Sequence, residues 1–210
     1  MDPVSKQLDQ FDEELTRAVC SYYILKTIHR EMSRRPSIHG ALNASSWAWS
    51  YILFSLQCSF FIQLERVFDG TSPHNADRVV EAAIDHARQT HPDKVPSLLR
   101  LKRRLRLYSS KVQPYRKIRH KVFAHPAHPD RAKIEKLFTE TQVSEIETIL
   151  RFLQRCVSSL RMYILNGHDI QLSKQRLPLK DNVVADTRRF LRELGRSTRQ
   201  VHRTRLRPHR

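Results

Sequence analysis

Residues 42–68 read LNASSWAWSYILFSLQCSFFIQLERVF, and this stretch decides the fold. Its apolar residues form two stripes with alternating three- and four-residue steps, the spacing of an α-helix. One stripe runs from Trp47 to Phe68 and the other from Trp49 to Val67. A helix that is apolar on two sides is typical of the centre of a bundle. We therefore expect both stripes to be buried against neighbouring helices.

The remaining periodic segments are helical as well. The chain contains only 4 Gly, and Leu, Arg, Gln and Glu are abundant, which favours helices over strands. Pro114 should kink or split the fourth helix. The pattern predicts an all-α bundle of about five helices at 1–167 and a basic C-terminal tail at 168–210, partly helical or disordered. The five predicted helices span 9–33, 42–68, 77–90, 97–123 and 143–164.

The charge is strongly positive. Net charge is +17, and the segment 94–121 carries eleven Lys and Arg with no Asp or Glu. Such a surface is expected to bind a polyanion, and nucleic acid is the leading partner class. An anionic membrane surface or a partner protein is the alternative. The residues expected to follow a nucleic-acid backbone are Arg100, Lys102, Arg103, Arg104, Arg106, Lys111, Arg116, Lys117 and Lys121.

Cysteine usage and hydropathy indicate the compartment. Cys20, Cys58 and Cys156 are isolated within apolar stretches, which is typical of free buried thiols in a reducing environment. The chain shows neither a signal-type N-terminus nor an apolar run of about 18 residues. We expect a cytoplasmic protein that does not span a membrane and requires no cofactor.

The basic segment ends in Arg119 and His125, followed by Pro126. An Arg can stabilise phosphoryl charge and a His can transfer protons near neutral pH, so the pair suits phosphodiester chemistry. On a straight helix the two side chains lie about 120° and about 9 Å apart. They converge if the helix unwinds before Pro126, or if a second copy supplies their counterparts across a two-fold axis.

Structural interpretations of the same residues stay open. Arg119 continues an apolar stripe, so its stem could cover the core while its head reaches solvent. His125 could bond to the last carbonyls of its helix. A zinc site from His120, His125 and His128 is disfavoured because their spacing is not the helical i, i+4 pattern and Pro126 intervenes. We expect no metal site.

Two segments carry a family resemblance. They are residues 64–69, LERVFD, and residues 118–125, IRHKVFAH. The second resembles the Arg-x(4–6)-His motif of HEPN domains, and with the helix order the chain is similar to the abortive-infection AbiU-type branch over about residues 8–167. His120 stands where many members have Asn or Asp. Ala127 stands where some toxin members carry a Tyr two residues after the motif His, so a switch that modifies this Tyr is not expected.

The resemblance implies a function. HEPN domains are helical bundles that usually dimerise, and active members are metal-independent endoribonucleases that serve as toxins or antiphage effectors. Arg119 and His125 would be the catalytic pair, and His120 would support them. The implied partners are RNA, a second copy of the chain that completes a composite active site, and a cognate antitoxin. The alternative is a non-catalytic RNA- or ribosome-binding module that uses the same basic helix.

Overall fold

A computed structural model describes residues 3–72, 75–118, 143–168 and 178–205. The described residues contain α-helices, one short 3-10 helix and no strand, so the predicted all-α fold is confirmed. The helices are α1 Pro3–Arg34, α2 Pro36–Asn43, α3 Ser46–Phe68, α4 Ala76–Thr90, α5 Val95–Lys111, α6 Gln113–Ile118, α7 Val143–Asn166 and α8 Pro178–Arg205, and the 3-10 helix is Pro92–Lys94.

These eight helices, counted over the described residues, outnumber the expected five because two predicted helices are interrupted and α8 lies in the predicted tail. The segment predicted to begin at Leu42 is broken at Ala44 and Ser45, where the two turn N–H groups bond back to Gly40 and Leu42. Asn and Ser in this turn favour local hydrogen bonds over helix continuation. The predicted fourth helix breaks at Val112, directly before the turn that holds Pro114.

Two predicted boundaries are confirmed. Pro114 is the second residue of α6, a position where its missing N–H costs no helical hydrogen bond. Gly167 ends α7 with a φ of 65°, and its N–H bonds to the Tyr163 carbonyl at 2.8 Å. A left-handed residue after the last turn is the usual way in which a helix ends at Gly.

The described residues fall into two compact units. Unit 1 consists of those within Met1–Ala18 and Phe61–Leu177, and unit 2 of those within Val19–Phe60 and Pro178–Arg210. The boundaries fall inside α1 and α3, so both helices contribute residues to each unit. The sequence predicted instead a division after residue 167, and that division stays a prediction.

Unit 1 has its core between α4, α5, α6 and α7 together with the ends of α1 and α3. Leu98, Leu101 and Leu105 line the buried side of α5. On α7, Ile149, Leu150 and Leu153 are fully buried. Arg161 of α7 donates hydrogen bonds to Asp9 and Asp12 of α1, both at 2.8 Å. This core supports the basic face of α5 described below.

Unit 2 contains the described part of the predicted basic tail. Leu191 of α8 is completely buried in a cluster with Ile28, Ile38 and Leu42. Helix α8 spans Pro178–Arg205 within the segment 168–210 that was predicted as a tail. Its first half therefore has an apolar seam as well as a high content of arginine.

The expectation that both stripes of α3 are buried is wrong for the first half of the helix. The Trp47 and Tyr51 side chains are 91% and 74% exposed, and Phe54 is exposed as well. The second stripe behaves differently in the same half, since Trp49 and Leu53 are partly buried and pack against the cluster around Leu191. Periodicity identifies residues that share a face, but it does not reveal whether another element covers that face.

Candidate nucleic-acid interface

The geometry of α5 separates its leucines from its cations. While Leu98, Leu101 and Leu105 are buried, Leu107 is exposed among the charged residues. Arg100, Arg104, Leu107 and Lys111 follow one another at three- and four-residue steps and share one side of the helix. The predicted RNA-contacting residues that are exposed are Arg100, Arg103, Arg104, Arg106, Lys111 and Lys117.

Two of the predicted RNA-contacting residues are engaged within unit 1. The Lys102 ammonium donates to Glu81 of α4 at 2.5 Å and is mostly covered. The Arg116 guanidinium donates to the Phe68 carbonyl at 2.6 Å. Both cations stabilise helix contacts, which lowers their availability to a ligand.

The remaining cations are less constrained. Arg100 bonds to the Ser97 hydroxyl within its own helix at 2.8 Å. Lys111 lies 3.7 Å from a Glu145 oxygen of α7, and both side chains reach solvent. Exposed pairs of this kind contribute little energy and can rearrange around an anion. Lys121 lies outside the described residues.

Sequence reasoning missed a cavity between α5 and α7. It measures about 290 Å³ and is lined by Arg104 and Tyr108 of α5 and by Thr148, Arg151, Phe152 and Arg155 of α7. The Tyr108 and Phe152 rings stack with centroids 4.1 Å apart and an interplanar angle of 23°. The Arg104 guanidinium lies 5.4 Å from the Phe152 centroid, a cation–π distance.

This cavity extends the cationic surface from one helix to two. Arg151 is exposed, while the Nε of half-buried Arg155 has no hydrogen-bond partner among the described residues. Arg151 and Arg155 stand four residues apart on α7, so their shared face was visible in the sequence. The sequence did not show that this face lies near α5, because that proximity depends on how α5 and α7 pack. Guanidiniums beside an aromatic ring suit phosphates and bases.

Helix α6 ends directly before the predicted catalytic segment, which begins at Arg119. Tyr115 and Ile118 are buried, and the Tyr115 hydroxyl donates to Glu145 at 3.3 Å. Ile118 is the residue directly before Arg119. The starting point of that segment is therefore fixed in the core of unit 1. Arg119, His120 and His125, like the disfavoured zinc ligand His128, lie outside the described residues.

The LERVFD segment has structural roles in unit 1. Arg66 pairs with Glu14 at 3.5 Å. The Asp69 carboxylate accepts hydrogen bonds from the N–H and hydroxyl of Thr71, which forms the turn after α3. The Phe68 carbonyl, at the end of the same helix, accepts the Arg116 bond. Arg116 lies two residues before the second segment that carries the family resemblance, so this bond ties the first segment to the helix that precedes the second.

The thiols are poor nucleophiles in this environment. Burial raises the pKa of Cys156 far above its ordinary value, against a smaller lowering by nearby Arg104. Burial also raises the pKa of the Cys20 and Cys58 thiols. None of the three belongs to a group of potential metal ligands among the residues that the structure describes. Their chemistry is that of packing residues.

Comparisons with known proteins identify the family of the chain. Over the described ranges, no helix combines the length and apolarity that crossing a bilayer requires. A search of curated proteins finds no match, and neither does a search of solved structures. The HEPN-type family model AbiU2 matches residues 1–190, which include the basic helix and the Arg119-x5-His125 string. The chain therefore belongs to the AbiU2 family of HEPN domains.

Proposed function

We propose that the protein is a metal-independent endoribonuclease that acts as a toxin or abortive-infection effector. The observation that carries the proposal is the HEPN family match over residues 1–190, which spans an Arg and a His at the motif spacing. The exposed cations of α5 add support, because they form a surface to which RNA can bind. RNase activity is compatible with membership of this superfamily.

In the proposed reaction the ribose 2′-oxygen attacks the adjacent phosphorus and the bond from phosphorus to the 5′-oxygen breaks. His125 serves as general base or general acid, a role that typically contributes about 10² to 10⁴ in rate. Arg119 contacts the non-bridging oxygens and stabilises the charge that develops on them. The nucleophile belongs to the substrate, so the reaction needs no metal. The products are a 2′,3′-cyclic phosphate and a 5′-hydroxyl.

The neighbouring residues have distinct proposed roles. His120 orients the catalytic pair or the substrate. The exposed cations Arg100, Arg103, Arg104 and Arg106 follow the RNA backbone, and Arg151 with Arg155 extends this path onto α7. The half-buried Tyr108 ring, stacked on the buried Phe152 ring, lies beside these guanidiniums. A base that stacks there would be held without sequence preference, since every base has a π-face.

Assembly and location are part of the proposal. A homodimer would place two Arg119/His125 pairs in one composite cleft. Light scattering on the purified protein tests this directly, and a monomer at micromolar concentration that still cuts RNA would contradict the composite cleft. A cytoplasmic location and control by a cognate antitoxin follow from a role in antiphage defence.

The decisive experiment compares the wild type with His125→Ala on a mixed-sequence RNA in the presence of EDTA. We expect the wild type to leave cyclic-phosphate ends and His125→Ala to lose about 10² or more in rate. A deoxy oligonucleotide of the same sequence should stay intact because it lacks the 2′-hydroxyl. Equal cutting of the deoxy oligonucleotide, or full activity of His125→Ala, would overturn the mechanism.

The second candidate function is a non-catalytic RNA- or ribosome-binding module. The specific observation in its favour is the arginine and aromatic cavity between α5 and α7, which can bind RNA without participation of Arg119 or His125. This module would bind RNA tightly and in a salt-sensitive manner. His125→Ala would leave its affinity unchanged, and neither protein would cut.

A further inference from the structure

Unit 2 contains a second cationic cavity, distant in sequence from α5 and α7. It measures about 370 Å³ and lies between the α1–α2 junction and the middle of α8. Four guanidinium-bearing residues line it: Arg34, Arg35, Arg192 and Arg196. Arg192 and Arg196 stand one helical turn apart on α8, so both side chains reach the same side of that helix.

The charges of this cavity are largely uncompensated. Arg35 donates its Nε to Glu31 at 3.0 Å, and the other oxygen of this buried carboxylate accepts from Arg188 at 3.1 Å. Both carboxylate oxygens of Glu31 are therefore bonded, one to Arg35 and the other to Arg188. Across the described residues, Arg34, Arg192 and Arg196 have no carboxylate partner. Like charges gathered around one cavity repel one another, and an anion between them relieves that repulsion.

The backbone around the cavity presents both polarities, because the carbonyl end of α1 at Arg34 and the N–H end of α2 at Pro36 meet there. Helix α2 begins at Pro36, so the Ser37 N–H belongs to the first turn, where amide groups lack intrahelical acceptors. Gly195 is buried against this turn, and a Cβ at Gly195 would lie 3.5 Å from both Ile38 Cγ1 and Ser37 Oγ. A methyl group at Gly195 would thus make ordinary van der Waals contact with this turn, which shows that α8 passes close to the start of α2.

We propose that this cavity binds an oligophosphate group, either free or at the 5′ end of an RNA. Guanidiniums recognise phosphate oxygens through paired hydrogen bonds, and three unpaired guanidiniums match a group that carries several negative charges. Among the residues that the structure describes, the lining contains no aromatic ring and so offers no platform for a base. The phosphates rather than the nucleoside are therefore the recognised feature. The site is independent of the proposed nuclease reaction.

The test measures binding of sodium tripolyphosphate to the full-length protein by calorimetry at physiological ionic strength. We expect saturable binding that weakens at least tenfold in Arg192→Ala. Arg189→Ala is the matched control, because Arg189 lies on the same helix, pairs with Asp186 and does not line the cavity. Its affinity should change less than twofold. Arg192→Lys keeps the charge but loses the planar fork, so it should also weaken binding measurably.

A second measurement distinguishes the two sources of the ligand. It compares one RNA sequence bearing a 5′-triphosphate or a 5′-hydroxyl, in the His125→Ala background so that cleavage cannot change the ligand. Stronger binding of the triphosphate end, lost in Arg192→Ala, identifies the RNA end as the source. Binding of tripolyphosphate alone, with no preference for the triphosphate end, identifies a free oligophosphate.

Two results would overturn the proposal. One is the absence of tripolyphosphate binding to the wild type. The other is equal weakening by Arg192→Ala and Arg189→Ala, which would show a diffuse basic surface in place of a site. Both variants affect exposed side chains on a helix, and far-UV circular dichroism verifies that they fold. Loss of nuclease activity, or its failure to appear, has no bearing on either result.

Discussion

The Arg116 guanidinium donates a hydrogen bond to the main-chain oxygen of Phe68 at 2.6 Å. This contact joins α6 to the C-terminus of α3, where the last carbonyls have no intrahelical donor. A residue that the charge pattern assigned to RNA binding thus completes a helix end. It lies three positions before Arg119, so its loss should affect both the stability of unit 1 and the approach to the proposed active site.

We predict that Arg116→Met lowers the free energy of unfolding by about 1.5 to 3 kcal/mol, the range for hydrogen bonds to charged groups. Urea unfolding followed by far-UV circular dichroism measures this change. Lys117→Met is the control, because Lys117 is exposed and the substitution removes the same charge. It should stay within about 0.5 kcal/mol of the wild type. Equal effects of the two substitutions would show that the Phe68 contact contributes nothing.

Cations on α5 should differ in their contribution to RNA binding according to their contacts. Arg104→Ala removes an exposed guanidinium beside Phe152, so we expect weaker binding of single-stranded RNA and a salt slope reduced by about 0.7. Lys102→Ala should have the smaller effect, since its ammonium is bonded to Glu81. Filter binding between 50 and 200 mM salt, roughly the range where slopes are well resolved, measures both.

The control for this series is Arg88→Ala on α4. Arg88 is exposed and pairs with Asp85 within its own helix. The substitution changes the net charge by the same amount as Arg104→Ala, at a position outside α5 and α7. An equal loss of affinity in Arg88→Ala would mean that RNA responds to total charge rather than to the α5 surface.

Asp12 makes the free energy of unfolding of unit 1 depend on pH. Burial raises the pKa of its carboxyl; Arg161 lowers it and Asp9 raises it by smaller amounts. A raised pKa in the folded state means that the native protein binds the proton more tightly than the unfolded chain. The stabilising contribution of the protonated form is therefore complete below the ordinary pKa of an Asp and is lost as pH rises through the folded-state pKa.

Asp12→Asn removes this dependence. The stability of the variant relative to the wild type should consequently rise as the pH increases from the ordinary pKa of an Asp through the higher folded-state pKa of Asp12, and then stay constant. Thermal unfolding at a series of pH values, followed by far-UV circular dichroism, measures the difference. A difference that falls with increasing pH would show that the ion pair with Arg161 outweighs burial.

Cys156 should resist alkylation in the native protein. Its side chain is buried, and the raised pKa keeps the thiol protonated at neutral pH, so the reactive thiolate is scarce. Mass spectrometry after iodoacetamide treatment should find Cys156 modified only after denaturation. Cys58, which is less buried, serves as the internal comparison and should react first. Rapid native modification of Cys156 would contradict the packing of α7.

Much of the fold could be predicted from periodicity. The stripe of α5 placed Leu98, Leu101 and Leu105 in the core, and Pro114 marked the break before α6. Both predictions rest on local rules, namely helical spacing and the missing N–H of proline. The same rules failed for Trp47 and Tyr51, because burial depends on what packs against a face.

The candidate interface was predictable only in part. A count of cations identified the basic helix, but it could not show that Lys102 and Arg116 are engaged. Their partners lie 21 and 48 residues away in the chain, so the contacts exist only after folding. The cavity between α5 and α7 was missed for the same reason. The roles of Arg119 and His125 stay predictions, because both residues lie outside the described ranges.

The positions of Trp47 and Trp49 limit what fluorescence can report about this protein. They are its only tryptophans, and both belong to unit 2. One indole is already in water, and the other is half-buried, with its ring centroid 6.3 Å from that of Phe190. Tryptophan emission will therefore follow the separation of α8 from α3 within unit 2, while unit 1 can unfold without an intrinsic tryptophan signal. A tryptophan introduced at Phe152 would give unit 1 an optical probe beside the proposed RNA path.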